Sequence, residues 1–365
     1  MPSPLALTTR AKWLLVAGLV VLTGLSVHRL LLVRPPEPYV AFGGDTMGTT
    51  FEVKLATREL PEDDFRRAKA ACEQAIDEVV DAMSSWEPDS EVSRFNAHRS
   101  TDPFAVSPLT FEVMQAAAEV NRMTRGAFDV TVAPLVALWG FGPNAPALSM
   151  PADERIVEVA SHVGQRLLEL DPAAHTLRKL DPELAIDLSG IAQGFASDQV
   201  ALALEALGHR DYLVDVGGEL RAAGTRRDGR PWRVAIERPA EETLRAIHVT
   251  IDLRDAGMAT SGDYRSFYDL EGVRVSQTID PRTGRPIAHD LASVSVVHPS
   301  AMWADALATG LNVLGPAAGY HVAETLGLTA YFIVRRDGSF QSLPTTAMQG
   351  LLPGPDTSEP RAPGE

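Results

Sequence analysis

The chain has almost no sulfur chemistry available to it, with one cysteine, Cys72, in 365 residues. An internal disulfide framework and any metal site made of cysteines alone are therefore excluded. Cys72 lies among alanines and Ile76 in a helical pattern, the setting of an inert core thiol. Positive charge is also short: 33 Lys and Arg against 48 Asp and Glu leave a formal charge of −15. A nucleic-acid partner requires a basic footprint, so that class is set aside. No Gly-Lys dipeptide occurs, which removes the nucleotide P-loop. Gly-x-Ser-x-Gly and His-Glu-x-x-His are missing as well, and no two histidines stand at metal-ligand spacing. The stretch Gly140-Phe-Gly-Pro-Asn-Ala145 fits a loose dinucleotide pattern, but Pro143 and Pro146 fall where the following helix should begin.

What remains is ordinary globular material, 45% apolar and 22% charged, long enough for a large core. The N-terminus reads as an address. Residues 1–12, with Arg10 and Lys12, precede an apolar segment at 13–33 broken only by His28-Arg29. Basic residues ahead of an apolar run place the start in the cytoplasm and send the rest outward. The segment is either a retained membrane anchor, the preferred expectation, or a cleaved signal peptide. A lipid on an N-terminal cysteine is excluded because no cysteine is near. A proline-rich linker at 34–42, a body at 43–350 and a disordered tail at 351–365 complete the division. The expected location is the periplasmic face of the inner membrane.

Within the body, alternation predicts strands at 49–55, 212–216, 232–236, 247–253, 293–297 and 330–334. Helical periodicity predicts helices at 61–84, 108–124, 152–163, 195–207, 301–314 and 317–326. Gly217-Gly218 and Arg227-Asp228-Gly229 read as hairpin turns, so the sheet is not purely parallel. The expected fold class is α+β, with mixed, largely antiparallel sheets flanked by helices.

Three stretches carry chemical content. Ala185 to Val200 reads as a short buried strand at 185–188, a glycine turn and a helix start, a common cradle for an anion. Asp305 and Thr309 lie four apart on one helix face and offer hard oxygens suited to Mg²⁺. From spacing alone, an ordinary helix start with a favourable Asp is the commoner explanation. Ala127 to Leu135 places Asp129 inside an apolar strand, where it needs partners from a ligand ring or from nearby backbone. Asp280 to Gly284 is a tight turn, and His289 and His298 read as loop residues.

Taken in order, these segments resemble the FAD:protein FMN transferases of the ApbE family. The matching motifs are Met47-Gly-Thr49, Ser85-Trp-Glu-Pro-Asp-Ser-Glu-Val-Ser-Arg-Phe-Asn96 and Gly126-Ala-Phe-Asp-Val-Thr-Val132. They continue through Asp187-Leu-Ser-Gly-Ile-Ala-Gln-Gly194, Val214-Asp-Val-Gly-Gly218 and Ala259-Thr-Ser-Gly-Asp-Tyr264, and end with Ile279-Asp-Pro-Arg-Thr-Gly284 and Ala304-Asp-Ala-Leu-Ala-Thr309. The resemblance implies a Mg²⁺-dependent enzyme that splits FAD, joins FMN to a Thr or Ser hydroxyl of an exported redox protein and releases AMP. It implies FAD contacts at Met47, Trp86, Ala127, Phe128, Asp129, Asp187, Gln193 and Ile279. It implies a metal held by the Gly190 carbonyl, Asp305 and Thr309. The implied acceptor is a flavoprotein subunit of a membrane electron-transfer complex.

Two residues depart from the family pattern. Gln193 stands where a lysine is usual, which gives less charge near the nucleotide. Gln277 stands where many members have a histidine, a candidate base for the acceptor hydroxyl, and a glutamine cannot serve as one. Asp263 or His289 is then the expected replacement. The alternatives are a flavin-binding or delivery protein without transfer activity, and a metal-dependent FAD pyrophosphatase.

Overall fold

The structure is a computed structural model and describes residues 39–143, 150–239, 247–262, 267–270 and 273–352. The leader, the tail and Asp263 lie outside the described residues. Eight strands build the main sheet, and their order in the sheet is their order in the chain. They are Val40–Thr46, Thr49–Leu55, Tyr212–Val216, Glu219–Ala223, Ala256–Gly262, Leu291–His298, Thr329–Arg336 and Ser339–Pro344. Every neighbouring pair is antiparallel. The expected α+β class with antiparallel sheets is what the structure shows.

Alternation decides which side of each strand faces the core. In Thr49–Leu55 the buried residues are Phe51, Val53 and Leu55, a period of two. Four helices close over the core: Glu62–Met83, Pro108–Met123, Ala192–Ala206 and Ala301–Thr325. The first presents an apolar stripe of Ala68, Cys72, Ile76, Val79 and Met83, whereas Ala301–Thr325 is buried at almost every position from 301 to 313. A smaller cluster of Leu135, Trp139, Ile156, Val159, Val163, Val275 and Ile279 forms a second apolar centre. Trp139 Nε1 donates to the Gly284 carbonyl at 2.8 Å and so ties the Asp280–Gly284 turn to that centre.

Several expectations change. Ala127 to Leu135 is not a strand: residues 127–131 are turn and irregular backbone, and a short helix, Ala133–Leu138, follows. Residues 185–188 are likewise not a strand, and the two segments meet at a single parallel bridge, Val132↔Ala185. Apolar runs of this length carry no signal that separates a strand from buried irregular chain. Arg226 to Arg230 is a tight turn, but it joins two different sheets: Glu219–Ala223 pairs with Ala256–Gly262, whereas Trp232–Glu237 pairs with Ile247–Leu253. The first strand begins at Val40, inside the stretch read as linker. The two helices expected at 301–314 and 317–326 are found, running as one span, 301–325, interrupted by non-helical Gly315 (φ 75°, ψ −177°) and Pro316.

Candidate active site

The Ala192–Ala206 and Ala301–Thr325 helices meet at their N-terminal turns, and two glycines permit it. A Cβ on Gly194 would stand 2.3 Å from the Ala301 carbonyl oxygen and 2.7 Å from Asp305 Cβ. This close approach explains why position 194, inside a helix that begins at Ala192, is a glycine, which reads in the sequence as part of a turn. Gly194 N–H donates to Asp305 Oδ2 at 3.1 Å. One turn further along, the Thr309 hydroxyl donates to the Gly190 carbonyl at 3.5 Å. A Cβ on Gly190 would lie 3.1 Å from Thr309 Oγ1. Gly190, Asp305 and Thr309 are thus gathered at one place.

Asp305 is 7% exposed, and its Oδ1 has no partner among the described residues. Burial pushes its carboxyl up to about 7, with the Gly194 N–H pulling the other way. A carboxylate in that setting lacks compensating charge, which a cation beside it would supply. A carbonyl, a hydroxyl and a carboxylate are all hard oxygens, the donor set that suits Mg²⁺ with its other positions left to water and phosphate oxygens. No group of three or more His, Cys, Asp or Glu placed to hold a metal exists among the described residues. Among the described residues a cation here would find fewer than three such side chains, which suits a ligand bringing its own negative charge.

Asp198 is a site residue that the motifs do not single out. Its carboxylate accepts from the Ser300 hydroxyl at 2.6 Å and from the N–H groups of Ala301 and Met302 at 3.0 Å each. It thereby anchors the N-terminus of the helix that carries Asp305 and Thr309, where the first N–H groups are otherwise unpaired. Its spacing of four from Gly194 puts both on one helix face, a signal that was open to the sequence.

Of the remaining implied contacts, Phe128 lies against Gly190 and Gln193 against Gly217, whereas Ile279 packs in the second apolar centre. Phe128 is buried, and its ring comes within 3.5 Å of the Cβ position on Gly190, so it backs the trio. Ala127 is buried beside it. Asp129 finds its partners in the protein: Oδ1 accepts from Thr131 N–H at 2.9 Å and Thr131 Oγ1 at 2.6 Å, and Oδ2 from Gln165 N–H at 3.0 Å. Backbone and a neighbouring hydroxyl thus supply what the sequence left open between ligand and protein. Asp187 Oδ1 accepts from Ser189 N–H at 2.9 Å, which shapes the turn toward Gly190. Gln193 lies against the hairpin turn at Gly217, where a Cβ would meet its Nε2 at 2.7 Å and Thr49 Cγ2 at 3.0 Å. Met47 and Gly48 form the turn before Thr49 with φ of 49° and 71°, so Gln193, Gly217 and Thr49 share one end of the sheet with Met47 close by in the chain. Trp86 is 66% exposed and leaves a ring face open.

His289 is occupied. Pro316 has no N–H to give the Asn312 carbonyl, and His289 Nε2 donates to that oxygen instead at 2.8 Å. Its Nδ1 accepts from Leu291 N–H at 3.3 Å. Both nitrogens are committed, and the Asn312 carbonyl lies about 10 Å along the helix from Asp305 at 1.5 Å rise per residue. A base needs hydrogen-bond reach of its proton, which this placement does not offer. Gln277 is exposed.

A family model described as the ApbE family matches residues 47–332. The FAD:protein FMN transferase of Vibrio cholerae serotype O1 is 42% identical over 317 residues, covering 87% of this chain and 94% of that protein. The enzyme of the same name from Escherichia coli K12 is 38% identical over 315 residues, covering 85% and 88%. Among solved structures, flavin transferase ApbE from Vibrio cholerae superposes with a TM-score of 0.79 at 42% identity, covering 87% of this chain and 100% of the other. The apo flavinyl transferase ApbE of Pseudomonas stutzeri gives 0.78 at 37% identity, covering 86% and 96%. With the motifs in order, the fold matched and the relatives aligned over most of their length, this chain belongs to the ApbE family.

Proposed function

We propose that the chain is an FAD:protein FMN transferase. It takes FAD and a protein Thr or Ser hydroxyl, forms a phosphoester between FMN and that oxygen, and releases AMP. The observation that carries the reading is the Gly190–Asp305–Thr309 cluster, an oxygen-only set with one buried carboxylate that has no countercharge among the described residues. Mg²⁺ held by the Gly190 carbonyl, Asp305 and Thr309 would neutralise the diphosphate and the charge that builds during transfer. Around it, Trp86 offers a stacking face, and Met47, Ala127, Phe128, Asp129, Asp187, Gln193 and Ile279 shape the FAD site. The acceptor oxygen attacks the phosphorus on the FMN side, its proton leaves, and the bond to AMP breaks with the bridging oxygen departing on AMP. Asp263 is the residue we assign to receive the proton, since Gln277 cannot and His289 is engaged elsewhere. A loose transition state asks little of that base. Residues 13–33 anchor the body at the periplasmic face of the inner membrane, beside an acceptor subunit of a membrane electron-transfer complex.

Gln193 and Gln277 favour one other reading, a flavin-binding or delivery protein without transfer activity. Incubation of the chain with FAD, Mg²⁺ and a domain bearing the acceptor threonine decides between them. Covalent flavin fluorescence on the acceptor is the expected result. Unchanged bound FAD would overturn the transferase reading for the delivery protein, and free FMN with AMP would overturn it for a pyrophosphatase.

A further inference from the structure

The turn from Asp187 to Gly190 carries groups that the proposed reaction uses, yet it belongs to no strand. Among the described residues the nearest ladder contact is the isolated bridge Val132↔Ala185, two residues before the turn. Ile186 is fully buried, so its backbone groups need partners. Both are met by one side chain ninety positions away. Asn96 Nδ2 donates to the Ile186 carbonyl at 2.8 Å, and Ile186 N–H donates to Asn96 Oδ1 at 2.8 Å. A side-chain amide offers a donor and an acceptor side by side, as a peptide group does, so Asn96 stands where a neighbouring strand would. The next N–H, that of Asp187, donates to the Val130 carbonyl at 2.7 Å. Asn96 therefore also sets how this turn meets the segment holding Ala127, Phe128 and Asp129.

Asn96 is itself held. It sits in the last turn of the Glu91–Ala97 helix, where carbonyls lack intrahelical partners. Lys179 Nζ donates to its carbonyl at 3.3 Å and lies 4.7 Å from the centroid of the Phe95 ring. Lys179 is only 1% exposed, so it is fixed by packing as well as by charge. A cation at a helix C-terminus is favourable there.

We infer that Asn96 is a positioning residue for the flavin diphosphate site, holding Asp187 and the Gly190 carbonyl in place, with Lys179 holding Asn96. The inference rests on the proposed flavin reading of this turn. The test uses the full chain and its Asn96→Ala and Asn96→Asp variants. FAD affinity is read by fluorescence titration, and the Mg²⁺ half-saturation of FAD binding is read without any acceptor. Loss of two hydrogen bonds of ordinary strength predicts a rise of about tenfold in the FAD dissociation constant and in the Mg²⁺ half-saturation for Asn96→Ala. Asn96→Asp weakens both as well, because a carboxylate cannot donate to the Ile186 carbonyl. A fall in melting temperature with both constants within twofold of the parent would mean a structural role alone and overturn the inference. If Asn96→Ala does not fold, Lys179→Gln is read instead. A shift of about threefold in the same direction is expected from one charged hydrogen bond, and no shift overturns the inference. A parent chain that binds FAD but modifies no acceptor defeats the transferase reading and leaves Asn96 to be judged on the binding constants. A parent chain that binds no FAD overturns both.

Discussion

The closest helix contact at the site makes Gly194→Ala a sharp test. In an exposed helix interior, replacing Gly by Ala is stabilising by roughly 0.5–1 kcal/mol, through backbone entropy. Here the sign reverses. The added Cβ would lie 2.3 Å from the Ala301 carbonyl oxygen, 2.7 Å from that carbonyl carbon and 2.7 Å from Asp305 Cβ. Ordinary contact for such atoms begins at about 3.5 Å, so the helices must separate by roughly 1 Å. The neighbours that have to yield are backbone, and Asp198 and Ser300 pin that backbone at the helix start. Separation also stretches the Gly194 N–H to Asp305 bond, 3.1 Å at rest, beyond hydrogen-bond length. Overpacking costs about 1–3 kcal/mol and a hydrogen bond to a charged group adds about 1.5–3, so a net loss of about 3 kcal/mol is expected. Urea unfolding with EDTA present measures that loss, and Mg²⁺ titration of FAD turnover should show a raised half-saturation. A Gly194→Ala variant as stable as the parent, with the same Mg²⁺ dependence, would refute the argument.

Asp305→Asn should reduce FAD turnover by at least about a hundredfold and abolish any Mg²⁺-induced rise in melting temperature, since the carboxylate of the Gly190–Asp305–Thr309 set is lost. Retention of the Mg²⁺ shift would count against the metal assignment. Gln193→Lys should raise transfer several-fold by adding a cation at the sheet end next to Gly217, read as kcat at saturating FAD; unchanged kcat would leave the charge to the metal alone. Lys179 has an ammonium pushed down to about 8 by burial and by Arg99, with Glu183 and Asp181 opposing. Between about pH 8 and 10.5 the unfolded chain binds more protons there than the native one, so the contribution of Lys179 to stability rises with pH across that window. Relative to Lys179→Met, the parent should gain about 1–2 kcal/mol over that range after screening, and parallel unfolding curves for the two would rule this out.

Part of the main sheet was legible in the sequence, from alternation in Thr49–Leu55 and Tyr212–Val216 and from short apolar runs in Leu291–His298 and Thr329–Arg336. Thr49–Leu55 and Tyr212–Val216 have the expected bounds, as does Ile247–Leu253 in the separate two-stranded sheet, and Leu291–His298 and Thr329–Arg336 differ only at their ends. Val40–Thr46, Ala256–Gly262 and Ser339–Pro344 were not expected as strands. Glu62–Met83 and Pro108–Met123 were legible through a period set by one buried face, while Ala192–Ala206 and Ala301–Thr325 are buried on several sides. Pairing was not. Nothing local in Arg227-Asp228-Gly229 tells that the strands on either side enter different sheets, because partner choice is decided by packing far along the chain. Ala127–Val132 and Ala185–Leu188 failed differently. Both are apolar enough for strands, yet their backbones are satisfied by side chains such as Asn96, Thr124 and Asn121. A side chain that replaces a ladder leaves no periodic trace.

The same distinction separates what the site shows in its motifs from what holds it together. Hard oxygens four apart at Asp305 and Thr309 can be found by spacing, and the third oxygen, the Gly190 carbonyl, comes only with the motif around it. The residues that make these three meet are Gly194, Asp198 and Asn96, and each acts on backbone instead of on a ligand. Their chemistry is generic, a missing Cβ, a capping carboxylate and an amide, so no residue type announces them. His289 shows the reverse case. A histidine attracts a catalytic reading, but Pro316 four residues beyond Asn312 leaves a carbonyl without its helical donor, and the imidazole fills that need. The pair Asn312 and Pro316 was visible in the sequence as the cause of an orphaned carbonyl. Its solution was not, because any donor brought there by the fold would have served.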